Sequence, residues 1–152
     1  MPAPNLARAH FALERDTARA MSEENVELQQ RAFDAFNRRD LDAFLELADR
    51  NIEFTPLNLE LEGGSYRGHD GVRSFWKDYL TVFPDFSVAL EEVQDLGDVT
   101  VARVRLRGRG TGSDVPFKQP IWQVAEWRRK KCVWWHSFRG EHDALKAAGL
   151  RK

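Results

Sequence analysis

The sequence predicts an α+β domain in which helices cover one face of a curved antiparallel sheet. Up to Pro84 apolar residues recur mainly with the helical period of 3.6, interrupted by one short strand, and beyond it they recur with the strand period of 2 until a short helical pattern closes the chain. Helices followed by a run of strands are typical of this fold class. The length of 152 residues suits a single core, and no internal repeat divides it.

The first two elements are predicted helices. Ser22–Asn37 begins with Ser22 as N-cap, and the acidic residues that follow favour the first turn of a helix. Leu41–Ala48 is a shorter helix with Asp40 as its expected cap. The apolar positions that define the two helices are Val26, Leu28, Ala32, Phe33, Ala35 and Phe36 in the first, and Leu41, Phe44, Leu45 and Ala48 in the second.

A short strand and a third helix follow. Asn51–Thr55 alternates and ends before Pro56, as a short strand does. The third helix is expected to begin at His69 or Asp70 and to end at Pro84. One face of this helix carries Val72, Phe75, Trp76, Tyr79 and Leu80.

The second half of the chain predicts four strands and a closing helix. The segments LGD and GRGTGSD and a tight RRKK turn separate the strands. The closing helix runs from Glu141 to Ala148, with Gly149 as the residue that ends it. The strands are Phe86–Val93, Val99–Arg107, Val115–Trp127 and Lys131–Arg139.

Composition excludes several classes of protein. The 23 basic and 24 acidic residues are well mixed and leave a net charge of −1, so there is no field for nucleic acid or an anionic membrane. No apolar run approaches the roughly 20 residues of a membrane helix. The single cysteine cannot form an internal disulfide, and a cytoplasmic location is therefore expected.

The first 21 residues are expected to lie outside the domain. They lack the apolar core of a secretory signal, and MSEEN reads as a second beginning. They are either an extension from an early start codon or an additional helix. The domain itself is predicted to span residues 22–150.

The stretch IWQVAEWRRKKCVWWHSF, residues 121–138, predicts a hairpin with two apolar faces. A one-sided antiparallel sheet shows polar residues to solvent, so we expect both faces to be covered, one by helices and the other by a second subunit. Alternation along the two strands defines the faces. One face carries Gln123, Trp127, Val133, Trp135 and Ser137, and the other carries Trp122, Cys132, Trp134, His136 and Phe138.

Four stretches, taken in order, resemble the NTF2-like superfamily and especially its SnoaL-like branch. They are FNRRDLDAFLELADRNIEF, SYRGHDGVRSFW, FPDFSVALEEVQDLGD and FRGEHDALKAAGL. The resemblance covers about residues 22–150 and is specific for fold through the order and spacing of these stretches. It implies a cone-shaped pocket between the helices and the concave sheet face, and homodimers formed through the outer face. Because one such fold hosts several activities, it does not specify a reaction.

Comparison with ketosteroid isomerases, which are similar proteins of this superfamily, implies which face is which. Their oxyanion-stabilising aspartate corresponds to Gln123, which places Gln123 and Trp135 inside and His136 outside. Their general base corresponds to Phe54, and their tyrosine to Ala32 or Phe33. Phenylalanine cannot abstract a proton, so the isomerase mechanism is excluded, whereas Gln123 can still donate a hydrogen bond.

The sequence also lacks the catalytic residues of two related branches of the superfamily. The epoxide hydrolases resembling this chain use an arginine flanked by aspartates, and VARVRLRG has no aspartate there. The late acid of SnoaL-type cyclases falls at Ser137.

Seven residues are expected to line the pocket and bind a ligand, with Gln123 or Tyr66 meeting its polar groups. An alternative is that the aromatic members fill the pocket, which leaves no site. The seven are Phe33, Phe36, Phe54, Tyr66, Trp76, Gln123 and Trp135.

Two residues are candidate general bases, but alternation directs both away from the pocket. His136 titrates near neutral pH and shares the outer face. Glu53 points away from Phe54, and an ion pair with an arginine is the expected outcome. No HExxH or CxxC motif is present, so neither a metal nor a cofactor is expected.

Three functions remain open at this point. The first is a pocket protein that binds a small hydrophobic metabolite. The second is an acid–base enzyme, a cyclase, isomerase or hydrolase, acting on a polyketide- or terpenoid-like substrate. The third is a non-catalytic interaction module with a filled pocket. In each case we expect a homodimer formed through Trp122 and Trp134.

Overall fold

The computed structural model describes residues 23–57, 65–108 and 120–151, and these form four helices and six strands. The α+β class is confirmed. The predicted N-terminal extension and the GRGTGS loop lie outside the described residues, as does the start of the predicted strand Val115–Trp127. The elements are α1 (23–37), α2 (Leu41–Leu47), β1 (Ala48–Thr55), β2 (Tyr66–Arg67), α3 (Gly68–Val82), β3 (Ser87–Asp95), β4 (Val99–Arg107), β5 (Pro120–Arg128), β6 (Lys131–Phe138) and α4 (Glu141–Arg151).

The six strands form one mixed sheet in the order β2-β1-β6-β5-β4-β3. The predicted four-strand meander is confirmed, and β2 also pairs in the antiparallel sense. The exception is β1, which lies parallel to β6. The sequence does not reveal this pair, because the two strands are separated by α3 and the whole meander.

Helices α1, α2 and α3 pack on one face of the sheet, which we call the inner face. Their apolar side chains, such as Phe33, Phe44 and Trp76, contact Val104 and Trp135 of the sheet in the main core. The periodic positions of the sequence thus form the helical half of this core, because burying them removes the largest apolar area from water.

The C-terminal helix α4 packs on the opposite, outer face. Ala144 and Ala148, one turn apart, are fully buried against a second cluster that includes Val101, Val124 and Trp134. Part of the outer face is therefore covered by the chain itself. This corrects the expectation that a second subunit covers Trp134.

Local chemistry accounts for several element ends. The Asp40 carboxylate accepts from the Ala43 N–H at 3.1 Å, which confirms the predicted cap of α2. The RRKK turn is a two-residue hairpin turn in which Arg129 and Lys130 have positive φ angles of 51° and 66°. Two-residue turns of this hand match the twist of the flanking strands.

Several predicted boundaries differ from the structure by a few residues. Ala48 begins β1 instead of ending α2. Helix α3 begins at Gly68, whose φ of 69° suits a residue without a side chain. Gly149 does not end α4, which continues to Arg151 because the Arg151 side chain bonds the Glu126 carboxylate on the sheet at 3.3 Å.

No helix in the described ranges is long and apolar enough to cross a membrane.

Candidate functional site

A cavity lies between the inner face of the sheet and the three helices that cover it. Its volume is about 40 Å³, measured as the space open to the centre of a water molecule. The lining residues are mostly apolar: Phe33, Phe36, Phe44, Phe54, Pro56, Leu57, Phe75, Tyr79, Phe86, Val88, Leu106, Ile121, Gln123, Trp135 and Ser137.

Gln123 and Ser137 form the polar part of this lining. They are directly paired on β5 and β6, and the Gln123 amide donates to the Ser137 hydroxyl at 3.1 Å. The other end of the amide, Oε1, is buried and has no hydrogen-bond partner among the described residues. Exchanging the amide oxygen and nitrogen would only move the unpaired end to the nitrogen. A buried polar atom of this kind is costly unless a water or a ligand bonds to it.

Gln29 on α1 contacts the backbone of Gln123. Its side chain is fully buried and donates to the Gln123 backbone carbonyl at 3.3 Å. This contact joins α1 to the strand that carries the polar end of the cavity.

The end of α1 and the turn after it hold the start of the edge strand β3, where Val88 and the preceding Phe86 line the cavity. The Asn37 side chain accepts from the Val88 N–H at 2.9 Å and donates to the Val88 carbonyl at 2.8 Å, as a neighbouring strand would. Arg39 bonds the carbonyls of Pro84 and Phe86. The NRRD segment therefore holds one wall of the cavity in place.

The solvent side of the cavity lies near Leu57 and Tyr79. These two are partly exposed, whereas the other lining residues are buried. Leu57 follows β1, and Tyr79 lies in the last turns of α3.

Five of the seven predicted binding residues line the cavity: Phe33, Phe36, Phe54, Gln123 and Trp135. Their role in binding stays a prediction. The alternative in which aromatic side chains fill the pocket disagrees with the open volume beside Gln123.

Tyr66 and Trp76 do not line the cavity, so their predicted placement was wrong. Tyr66 lies on the short strand β2, and its hydroxyl donates to Asp78 at 3.0 Å near the surface. Partial burial and this hydrogen bond raise the pKa of Tyr66 above its usual value. Trp76 lies behind Phe36 and Phe44, at ring-centroid distances of 5.0 and 5.5 Å.

Sequence reasoning missed several lining residues that its own patterns contained. Phe75 and Tyr79 belong to the predicted apolar face of α3, and Ser137 shares the inner face of β6 with Trp135. The apolar pattern of α3 predicted that these side chains are buried, but it did not indicate which of them border the cavity. Phe44 was likewise predicted to be a buried apolar residue of α2, but it was not predicted to line the cavity.

The two candidate bases lie away from the cavity. His136 is on the outer face, where its ring stacks between Trp134 and Phe138 at 5.2 and 4.4 Å. Burial lowers the pKa of His136, Arg151 lowers it further, and Glu53 opposes the change. Glu53 itself pairs with Arg67 at 3.2 Å, which confirms the expected ion pair with an arginine.

An irregularity in β6 exchanges the faces of two hairpin residues. Glu126 pairs with Trp134 but Trp127 pairs with Cys132, so Val133 is the extra residue of a bulge. Cys132 therefore belongs to the inner core and Val133 packs on the outer cluster, the reverse of the prediction. Burial raises the pKa of the Cys132 thiol, which keeps it protonated and unreactive.

His69, which the sequence placed at the start of α3, bonds the Ala48 carbonyl through Nε2 at 2.9 Å. It joins the start of α3 to β1. Among the described residues, no group of three or more histidine, cysteine or acidic side chains is placed to hold a metal ion.

Comparisons with known proteins agree with this architecture. The family model for the SnoaL-like domain matches residues 30–136. An NTF2-like protein of unknown function from Burkholderia pseudomallei is 20% identical, with a TM-score of 0.68 over 82% of this chain and 97% of that one. A Jannaschia protein described as a SnoaL-like polyketide cyclase is 21% identical, with a TM-score of 0.67 over 84% and 92% of the two chains.

A more distant structure is an LEH-like epoxide hydrolase from Mycobacterium tuberculosis. It is 11% identical, with a TM-score of 0.64 over 85% of this chain and 92% of that one. At such identities the likeness shows the fold alone. No curated protein is significantly similar to the chain in sequence.

Proposed function

The chain belongs to the SnoaL-like domain family, and from that premise we propose that it binds a small, mainly apolar molecule carrying one polar group. The observation that supports this most is the amide end of Gln123, which has no partner among the described residues and lies in a mostly apolar cavity. Apolar walls with a few placed polar groups are the usual composition of a small-molecule site. In this proposal the aromatic rings hold the body of the ligand and Gln123 bonds its polar group.

Binding fits the lining better than acid–base catalysis does. The described lining residues include no carboxylate, imidazole, thiol or amine. Their only side chains with an exchangeable proton on oxygen are Tyr79 and Ser137, whose usual pKa values lie far from neutral. A general base works best when its pKa is near the operating pH. The acid–base alternative would therefore have to act without His136 and Glu53.

The volume of the cavity without a ligand limits what can bind in it unless side chains move. An apolar cavity of about 150 Å³ accommodates benzene, and the cavity here is about 40 Å³. A ligand with even one ring must therefore displace side chains as it enters.

The proposal is tested with a matched set of ring compounds, namely benzene, phenol and benzyl alcohol. Binding is measured by titration calorimetry and by quenching of tryptophan fluorescence. One net hydrogen bond contributes about 1 kcal/mol, so a hydroxyl that reaches Gln123 should raise affinity roughly 5- to 10-fold over benzene.

Gln123→Leu should abolish this preference while benzene still binds. Gln94→Leu on β3 is the matched control, because Gln94 does not line the cavity, and it should bind like the unmodified protein. Failure of all three compounds to bind at millimolar concentration would reject a ring-binding site.

A further inference from the structure

We propose that Trp135 is the movable wall of the cavity and sets the size of the molecule that it admits. This inference rests on the proposed function, because it concerns the same site. It assigns Trp135 a role in ligand selection beyond that of one aromatic contact among several.

The first observation is a second cavity on the far side of Trp135. It is small, about 10 Å³ on the same measure. Trp135 and Phe44 line both cavities, so their side chains form the partition between them. The remaining residues around the second cavity are apolar or aromatic: Ala32, Leu47, Ala48, Ile52, Trp127 and Cys132.

The second observation is that no hydrogen bond from the described residues holds the Trp135 indole. Trp135 is only 3% exposed, yet its Nε1–H has no partner in the part of the chain that the structure describes. Trp127, the other tryptophan at the second cavity, differs in this respect because its Nε1–H donates to the Thr100 hydroxyl at 2.9 Å. Turning Trp127 breaks a buried hydrogen bond, whereas turning Trp135 breaks none.

The third observation concerns the packing around the Trp135 ring. Its neighbours Phe33, Phe54 and Phe44 lie at centroid distances of 5.4, 6.2 and 6.3 Å, all on the side of the helices and β1. These contacts are dispersive and can be exchanged for contacts with a ligand ring. Entry of a ligand therefore pushes Trp135 towards the second cavity, and the two spaces join along Phe44.

The ligand class follows from these volumes. Both cavities are smaller than the apolar cavity of about 150 Å³ that accommodates benzene, so a ligand ring needs the two spaces to be joined and the side chains around Trp135 to be displaced with it. We infer a ligand with one ring and short substituents, since the indole limits how far the site extends.

The inference is tested with a series of alkylbenzenes from benzene to hexylbenzene. Affinity is measured by calorimetry for the unmodified protein and for two variants, Trp135→Phe and Trp76→Phe. The second is a matched control: Trp76 is also buried, its Nε1–H also lacks a partner, and it lines neither cavity.

For the unmodified protein we expect affinity to fall beyond short chains. Trp135→Phe should move this limit to longer chains and raise the affinity of hexylbenzene at least tenfold, whereas Trp76→Phe should keep the original limit. An identical limit in all three proteins would overturn the inference while leaving the proposed function intact. If neither benzene nor toluene binds the unmodified protein, the proposed function itself is wrong.

A second measurement does not depend on the folding of a variant. With 5-fluorotryptophan incorporated, the ¹⁹F resonance of Trp135 should shift on addition of toluene by more than that of Trp127. Equal shifts of the two resonances would contradict a movable Trp135, and absence of any shift would contradict binding.

Discussion

Gln123 and His136 lie on neighbouring strands of the hairpin and point to opposite faces of the sheet. Gln123 faces a cavity in which half of its amide has no partner. His136 stacks between two aromatic rings and is half-buried. The residue with the more reactive side chain is thus the one farther from the cavity. Environment, not residue type, decides which of them meets a ligand.

We expect His136 to reduce stability as the pH falls below about 6.5, the ordinary pKa of histidine. Burial chiefly holds the pKa of His136 below this value, with Arg151 adding to the effect and Glu53 opposing it. Above pH 6.5 the ring is neutral in both states. Below it the unfolded chain binds the proton first, so stability is lost until the folded protein is protonated as well.

Urea unfolding at pH 7.5, 6.5 and 5.5 measures this effect. His136→Asn should flatten the loss of stability between the first and last of these values. His142→Asn, at an exposed position of α4, should behave like the unmodified protein. If the three proteins lose stability in parallel, His136 is not responsible.

Helix α4 is held on the sheet by its last turn as well as by its two buried alanines. Arg151 bonds the buried Glu126 carboxylate and places its guanidinium 4.1 Å from the ring centroid of Trp134. Glu126 also pairs with Arg128 at 3.1 Å. The Glu126 carboxylate therefore pairs with two arginines. Of these two, Arg151 also packs on Trp134.

Arg151→Ala is expected to lower the free energy of unfolding by about 1–2 kcal/mol, because it removes a partly desolvated cation–π contact together with a charged hydrogen bond. Arg128→Ala should cost less than about 1 kcal/mol, since Arg128 is mostly exposed and an exposed ion pair is weak. Urea unfolding followed by tryptophan fluorescence gives both values. Equal losses would show that the contact with Trp134 contributes little.

At the scale of the whole molecule, the described residues cover the outer face of the sheet only in part. Helix α4 buries Trp134, but Trp122, His136 and Phe138 remain partly exposed beside it. Arg103 lies within 4 Å of Glu91 and Glu92, so both signs of charge border these rings. We propose that this remaining surface seats a second copy of the chain, with Trp122 rather than Trp134 at the contact.

Trp122→Glu should convert a dimer to a monomer, because a buried unpaired carboxylate at a contact is strongly unfavourable. Light scattering after size exclusion measures the mass, and circular dichroism should show that the fold is kept. Leu150→Glu is the control, since Leu150 is 82% exposed on α4, and it should remain a dimer. A monomeric unmodified protein at all concentrations would contradict the proposal.

Most of the fold and part of the site could be predicted from the sequence. Periodicity identified the described helices and the meander, and alternation assigned Gln123, Trp135 and His136 to their faces once the resemblance oriented the sheet. It misplaced Cys132 and Val133, because one extra residue in a strand shifts the period and leaves no mark in the residue types.

By itself, then, the sequence determined the kind of most elements and most of the apolar positions that are buried, because burial follows largely from local periodicity and apolar area. The tertiary structure decided that β1 joins β6 in parallel, that α4 covers Trp134, and that open space remains beside Gln123 and Trp135 but not beside Trp76. These features depend on contacts between segments far apart in the chain. A cavity is the space that such contacts leave unfilled, and no local pattern encodes it.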